Sequence, residues 1–204
     1  MYSSRVRIIG LIVIVSLQAI YFPLNRLIQG GYLPRIPWDD LVPFWPAWSL
    51  PYLLSLLWWL ACYIWAASKM DATRFQKFFV STVFMLLSSY LVYFLFPTYV
   101  ERPPVDGTGW QYDLIRHIFA NDRLNNAFPS GHTYNTVLIT LFWWNWYPSL
   151  RWLWALITII VIFSTLFTGQ HNLVDPLGGI LWAWGGYHFG NWWVARKKMS
   201  EVSV

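Results

Sequence analysis

The sequence predicts an all-α fold: a single integral membrane domain over residues 1–204, built as a six-helix bundle with both termini cytoplasmic. Three observations predict it. Hydrophobic residues make up 57% of the chain and charged residues 11%, against roughly 25% charged in an ordinary soluble domain. Six apolar runs approach the roughly 20 residues that a bilayer-crossing helix needs. Aromatic residues are 21% of the chain, with 16 Trp and 12 Tyr, types that gather at membrane interfaces. This balance excludes a disordered chain, and the runs do not alternate as membrane β-strands do.

The first run is Ile8 to Phe22. Arg5 and Arg7 precede it as they would a signal peptide, but no small-x-small cleavage site comes before Pro23, so a retained helix is expected. Pro46 to Ala67 is the second and Phe75 to Phe96 the third, with Lys77 near enough to its end to snorkel. Gly131 to Tyr147, Trp152 to Thr168 and Leu177 to Ala195 complete the six. Pro23, Pro97 and Pro148 each follow a run, where a helix is expected to stop. The motif Gly186 to Gly190 is a GxxxG, expected to serve helix packing.

Orientation follows from the basic residues. With the N-terminus inside, the inner segments hold Arg5, Arg7, Lys69, Arg74, Lys77, Arg151, Arg196, Lys197 and Lys198. The longer outer loops hold only Arg26, Arg35, Arg102, Arg116 and Arg123. The positive-inside rule therefore puts both termini in the cytoplasm. The same distribution explains the net charge of +5 without a nucleic-acid partner. Within the outer loop 98–129, Trp110 to Ala120 places Trp110, Leu114, Ile115, Ile118 and Phe119 on one helical face, as in an amphipathic helix lying in the interface.

Ionisable groups near membrane depth are costly and call for a functional explanation. They cluster in three outer stretches: Phe96 to Pro104, Asn126 to Thr133, and Ser164 to Asp175. In the second, Ser130 is a good N-cap, Gly131 lets a ligand approach the backbone, and His132 stands on the first turn of a helix whose N-terminus favours an anion. A plain cap with an interfacial histidine fits equally well. In the third, His171 and Asp175 are four apart, so the carboxylate can hold one imidazole nitrogen and leave the other free to attack. Asp175 before Pro176 also suits the N-cap of the last helix. Arg102 has the donor fork that matches a phosphate, although a solvated loop arginine is the plain alternative. His117 and His188 read as structural. No Gly-x-Ser-x-Gly elbow marks a serine hydrolase. His132, His171 and Asp175 lack the usual metal-site spacings, and the single Cys62 excludes a multi-cysteine zinc site, so a metal site is not expected.

These stretches resemble the type 2 phosphatidic acid phosphatases, whose motifs are Lys-x6-Arg-Pro, Pro-Ser-Gly-His and Ser-Arg-x5-His-x3-Asp. The second is whole as Pro129-Ser130-Gly131-His132; the first survives as Arg102-Pro103, the third as Ser164 with His171-x3-Asp175. The likeness covers roughly residues 95–179. Two motif cations are replaced, by Leu95 and Thr165. The pattern Phe-Thr-Gly-Gln-His then looks more like the branch of inositol phosphorylceramide synthases and their bacterial relatives. Sphingomyelin synthases likewise keep a His, His, Asp set without that arginine. The resemblance implies a phosphatase or phosphotransferase acting on a membrane lipid phosphate, with catalytic His132, His171 and Asp175, phosphate-binding Arg102, Ser130 and Gly131, and no metal or organic cofactor. Arg116 or Arg123 could replace the missing cations. The resemblance also implies a bacterial inner or plasma membrane location with an extracytoplasmic active site. A non-catalytic lipid binder or transporter using the same anion site is the competing expectation. The lipid, the acceptor and the oligomeric state are not readable from the sequence.

Overall fold

The computed structural model describes residues 4–202 apart from the side chains of residues 198, 201 and 202, so the inner charge expected at Lys198 lies outside it. The chain is all-helical, 77% helix, and no strand occurs among the described residues. Seven α-helices follow one another: α1 Ser4–Leu27, α2 Ser49–Lys69, α3 Ala72–Leu95, α4 Trp110–Asn121, α5 Gly131–Trp146, α6 Arg151–Phe167 and α7 Val174–Val202. Short 3-10 turns at Pro37–Leu41, Pro46–Trp48 and Pro148–Leu150 join them. Each of the six apolar runs is a helix. Four helical stretches are long and apolar enough to cross a membrane: Ser4–Leu27, Pro46–Lys69, Ala72–Leu95 and Pro148–Phe167.

Helix α5 has only 16 residues, and most of them from Thr133 to Trp143 are buried. An apolar helix buried on nearly all sides is the central post of a bundle, and α6, α7 and α2 pack around it. Helix α7 also lies along α3. A Cβ on Gly190 would fall 2.2 Å from the Ser81 hydroxyl and 2.7 Å from the Lys77 carbonyl oxygen, and one on Gly186 3.1 Å from Met85. The GxxxG therefore sets a close backbone approach between α7 and α3. The outer flanks of the bundle expose large apolar side chains such as Ile12, Leu57, Leu91 and Leu181.

The stop expected at Pro23 does not occur, because α1 continues to Leu27. A proline removes one helical hydrogen bond, which membrane helices tolerate when neighbours hold the turn. Asn25 supplies that hold. It is buried, donates to the Asn125 carbonyl at 2.7 Å and accepts from the Arg123 amide at 2.7 Å.

The two long loops are fastened to each other. The Tyr32 amide donates to the Pro97 carbonyl and the Tyr99 amide to the Tyr32 carbonyl, both at 2.9 Å. The Val100 amide reaches the Leu124 carbonyl at 3.1 Å. Helix α4 buries Ile115 and Ile118 against Tyr52 at the start of α2, so its apolar face covers the bundle end.

Candidate active site

The turn between α6 and α7 is built by its glycine. Gly169 has φ +66°, a left-handed conformation that L side chains rarely adopt. A Cβ there would also meet Pro103 Cδ at 2.5 Å. The Gln170 amide returns to the Thr165 carbonyl at 3.1 Å, closing the end of α6. His171 follows at once. Helix α7 begins at Val174, so Asp175 sits inside its first turn, one residue past the start, and is not the N-cap. Its side chain points backward: Oδ2 accepts the Asn172 amide at 2.8 Å and lies 3.3 Å from His171 Nδ1. Asp175 is fully buried, and Oδ1 has no partner.

The start of α5 comes to the same place because the Ser130 amide donates to the Asp175 carbonyl at 3.0 Å. Ser130 is the N-cap and fully buried. Its hydroxyl accepts from the Thr133 amide at 3.4 Å and from the Thr133 hydroxyl at 3.2 Å. On the first turn, the His132 ring stacks on Tyr52 with centroids 3.9 Å apart and tilts against Trp59 at 4.9 Å. Its Nε2 is buried without a partner. Tyr52 is itself held, donating to Asp122 Oδ2 at 3.0 Å, and Tyr21 donates to Asp122 Oδ1 at 2.8 Å.

Gly131, His132 and His171 line one cavity of about 490 Å³, walled mainly by apolar residues of α1 and α2. A Cβ on Gly131 would make only ordinary contacts, 3.5 Å to the Tyr134 hydroxyl, so the bare backbone there is not a packing requirement. Asp175 stands behind His171. Neither Ser130 nor Arg102 is on the cavity wall. Arg102 lies beside it, in the loop between α3 and α4. Its guanidinium donates to Gln170 Oε1 at 2.6 Å, to the Arg123 carbonyl at 3.1 Å and to the Phe119 carbonyl at 3.3 Å, and stacks over the Phe119 ring. Burial pulls its pKa down from the ordinary value, and the nearby Asp122 carboxylate acts the other way. An arginine stays protonated under such a shift.

A family model described as the PAP2 superfamily matches residues 78–199. The chain belongs to the PAP2 superfamily. Members of this superfamily are generally phosphoesterases, and membership points to phosphatase or phosphotransferase activity on lipid phosphates. Neither the curated proteins nor the solved structures contain a match.

The two positions where this PAP2 chain departs from the family motifs have different surroundings. Leu95 is exposed at the end of α3. Thr165 is fully buried, with its hydroxyl returned to the Ile162 carbonyl at 2.7 Å. Arg116 pairs with Asp113 at 2.8 Å and also with the Gly107 carbonyl. Arg123 enters through its carbonyl, which Arg102 and Asn25 use. His117 faces the cavity rim, although the sequence marks it only as structural. His188 lies far along α7 against Trp184. Sequence reasoning missed Tyr52, Asp122 and Gln170. Tyr52 sits in an apolar run rich in aromatics, and nothing there distinguishes it. Gln170 carried a signal, being a polar residue next to a candidate nucleophile.

Proposed function

We propose that this protein is a membrane-embedded lipid-phosphate phosphatase or phosphotransferase that works through a phosphohistidine on His171. The observation that carries this is the meeting of two histidines on one largely apolar cavity. One has Nδ1 at a buried carboxylate, the other an unpartnered Nε2. With Nδ1 turned to Asp175, Nε2 of His171 keeps the lone pair that attacks phosphorus, and the bond from phosphorus to the lipid oxygen breaks. His132 gives its proton to that leaving oxygen. In the second step His132 takes a proton from water or an acceptor hydroxyl, whose oxygen attacks phosphorus. The phosphorus–nitrogen bond then breaks and His171 is restored. Asp175 steadies the imidazolium, as the buried carboxylate does in hydrolase triads. The first amides of α5, from Gly131, face the phosphoryl oxygens with the positive end of the helix dipole. Ser130 fixes that helix start. Arg102 adds positive charge beside the site and anchors Gln170.

The same proposal includes six spans, α1, α2, α3, α5, α6 and α7, with both termini cytoplasmic and the site at the extracytoplasmic face of a bacterial inner or plasma membrane. The missing cations at 95 and 165 favour the synthase-like branch and a phosphodiester donor or transfer. A monoester carries nearly two negative charges and needs more clamping than a diester.

The test is a rapid acid-free quench of purified protein with radiolabelled lipid phosphates, followed by a search for an acid-labile, base-stable phosphohistidine. Label is expected on wild type and absent from His171→Ala. Turnover without label in wild type, or label that survives His171→Ala, overturns the mechanism. Lipid binding without turnover by any panel member leaves the binder reading in its place.

A further inference from the structure

A second cavity, of about 260 Å³, lies at the end of the bundle opposite His171. Asp71 and, on α3, Arg74 and Lys77 line one side, Asn145 of α5 and Tyr187 and Asn191 of α7 the other. Asn191 is roughly 24 Å along α7 from Asp175, so the phosphoryl chemistry uses none of these groups.

Two cations face this cavity. Arg74 and Lys77 are three apart and share a face of α3. Asp71 caps the helix: one carboxylate oxygen accepts the Arg74 amide at 2.9 Å and the other pairs with the Arg74 guanidinium at 3.3 Å. The Lys77 ammonium has no hydrogen bond or ion pair among the described residues. Two cations against one carboxylate leave one positive charge. The amides are assigned by their partners. Asn145 Nδ2 donates to the Leu141 carbonyl at 3.1 Å and to the Tyr187 hydroxyl oxygen at 3.3 Å, and Asn191 Nδ2 donates to the Tyr187 carbonyl at 2.8 Å. A carbonyl only accepts, so both amide oxygens are left over, and so is the proton of the Tyr187 hydroxyl.

The height of the cavity says what reaches it. It lies at the start of α3, a candidate membrane span. Trp152, Trp192 and Trp193 expose their rings at the same end of the bundle, and tryptophan gathers at the level of lipid headgroups. A basic pocket between helices at that level suits a lipid phosphate. One positive charge matches a phosphodiester, which carries one negative charge.

We infer that this cavity binds the headgroup of an intact anionic phospholipid that is not a substrate. Lys77, Arg74 and the Tyr187 hydroxyl hold its phosphodiester, and the amide oxygens of Asn145 and Asn191 accept from hydroxyls beyond it. The binding does not depend on the phosphohistidine chemistry at the other end.

The experiment strips the full-length protein of lipid in a neutral detergent and titrates it with phosphatidylglycerol, phosphatidylcholine or inorganic phosphate. Native mass spectrometry counts the bound lipid. The melting temperature is followed alongside, since a ligand of the folded state raises it. Wild type is expected to hold a phosphatidylglycerol that Lys77→Gln binds about tenfold or more weakly, the worth of one charge-assisted hydrogen bond. A lipid seated in the catalytic cavity does not respond to Lys77, so this difference reads the second cavity alone. Lys77→Arg keeps the charge and is expected to retain the lipid. Should Lys77→Gln fail to fold, Tyr187→Phe removes one neutral donor and is expected to weaken binding about two- to tenfold. Phosphatidylcholine has the phosphodiester but a fixed positive charge and no donor beyond it, and is expected to bind more weakly than phosphatidylglycerol. Inorganic phosphate is expected not to displace the lipid. Equal retention by wild type and Lys77→Gln, no retained lipid, phosphatidylcholine bound as tightly as phosphatidylglycerol, or displacement by inorganic phosphate overturns the inference.

Discussion

Replacing Asp175 by asparagine separates the charge of this carboxylate from its geometry. One oxygen, Oδ2, serves both the Asn172 amide at 2.8 Å and His171 Nδ1 at 3.3 Å. The Asn172 N–H demands an acceptor, so an asparagine is expected to set its carbonyl oxygen in the same spot. The imidazole then keeps its tautomer, with Nε2 free. The charge is lost, and an amide NH2 takes the buried, unpartnered place of Oδ1. A hydrogen bond to a charged group is worth about 1.5–3 kcal/mol and a neutral one about 0.5–1.5 kcal/mol. The difference, roughly 1–1.5 kcal/mol, corresponds to about a five- to fifteenfold loss of rate. Asp175→Ala instead removes the tautomer lock and leaves a buried amide unpaired. Its rate is expected to fall by about 10³-fold or more, as when a triad is broken, with about 1–3 kcal/mol of stability lost as well. Single-turnover phosphoryl transfer and thermal denaturation in detergent measure the two effects. A wild-type rate for Asp175→Asn would refute the role given to the charge. A rate as low as that of Asp175→Ala would refute the geometry.

Loss of His132 by substitution with alanine should be partly rescued by a substrate with a good leaving group, while His171→Ala should not; equal rescue of both would remove the acid role of His132. Gly190→Val should lower the melting temperature through a cost of about 1–3 kcal/mol or more, because its Cβ would sit 2.2 Å from Ser81 Oγ and 2.7 Å from a backbone oxygen of α3. Gly169→Ala combines strain at φ +66° with a 2.5 Å contact to Pro103. It should depress turnover more than stability, measured as kcat against melting temperature. Activity should survive chelators and be inhibited by vanadate, which mimics five-coordinate phosphorus; restoration of a chelated enzyme by zinc or magnesium would overturn the assignment of roles.

The helices were readable because lipid imposes a uniform demand: a run of apolar residues must satisfy its own backbone. That demand says little about ends. Pro23 marks a stop by local rules, yet Asn25 carries α1 past it through partners about a hundred residues away. The Pro-Ser-Gly-His and His-x3-Asp patterns were legible because their chemistry needs particular residue types. The Tyr52 stack on His132 and the Asp122 hydroxyl contacts were not, since they join α2 to a loop after α4 and follow no spacing.

The Asp39 carboxylate, early in the chain, accepts the Leu173 amide at 2.7 Å, and the Trp45 amide donates to the Phe167 carbonyl at 2.8 Å. The loop between α1 and α2 thus finds partners in the turn that carries His171 as well as at Pro97 and Tyr99. Chains are made from the N-terminus at about 5–20 residues per second, so on the ribosome these two bonds of the loop wait, unmade, while five further helices, α2 to α6, are synthesised. A chain arrested before α6 leaves Asp39 and the Trp45 amide without these partners. Once α7 is in place, the same bonds close the loop over the finished turn. The turn and the loop that covers it are completed together, and His171 gains these surroundings only once α7 has been made.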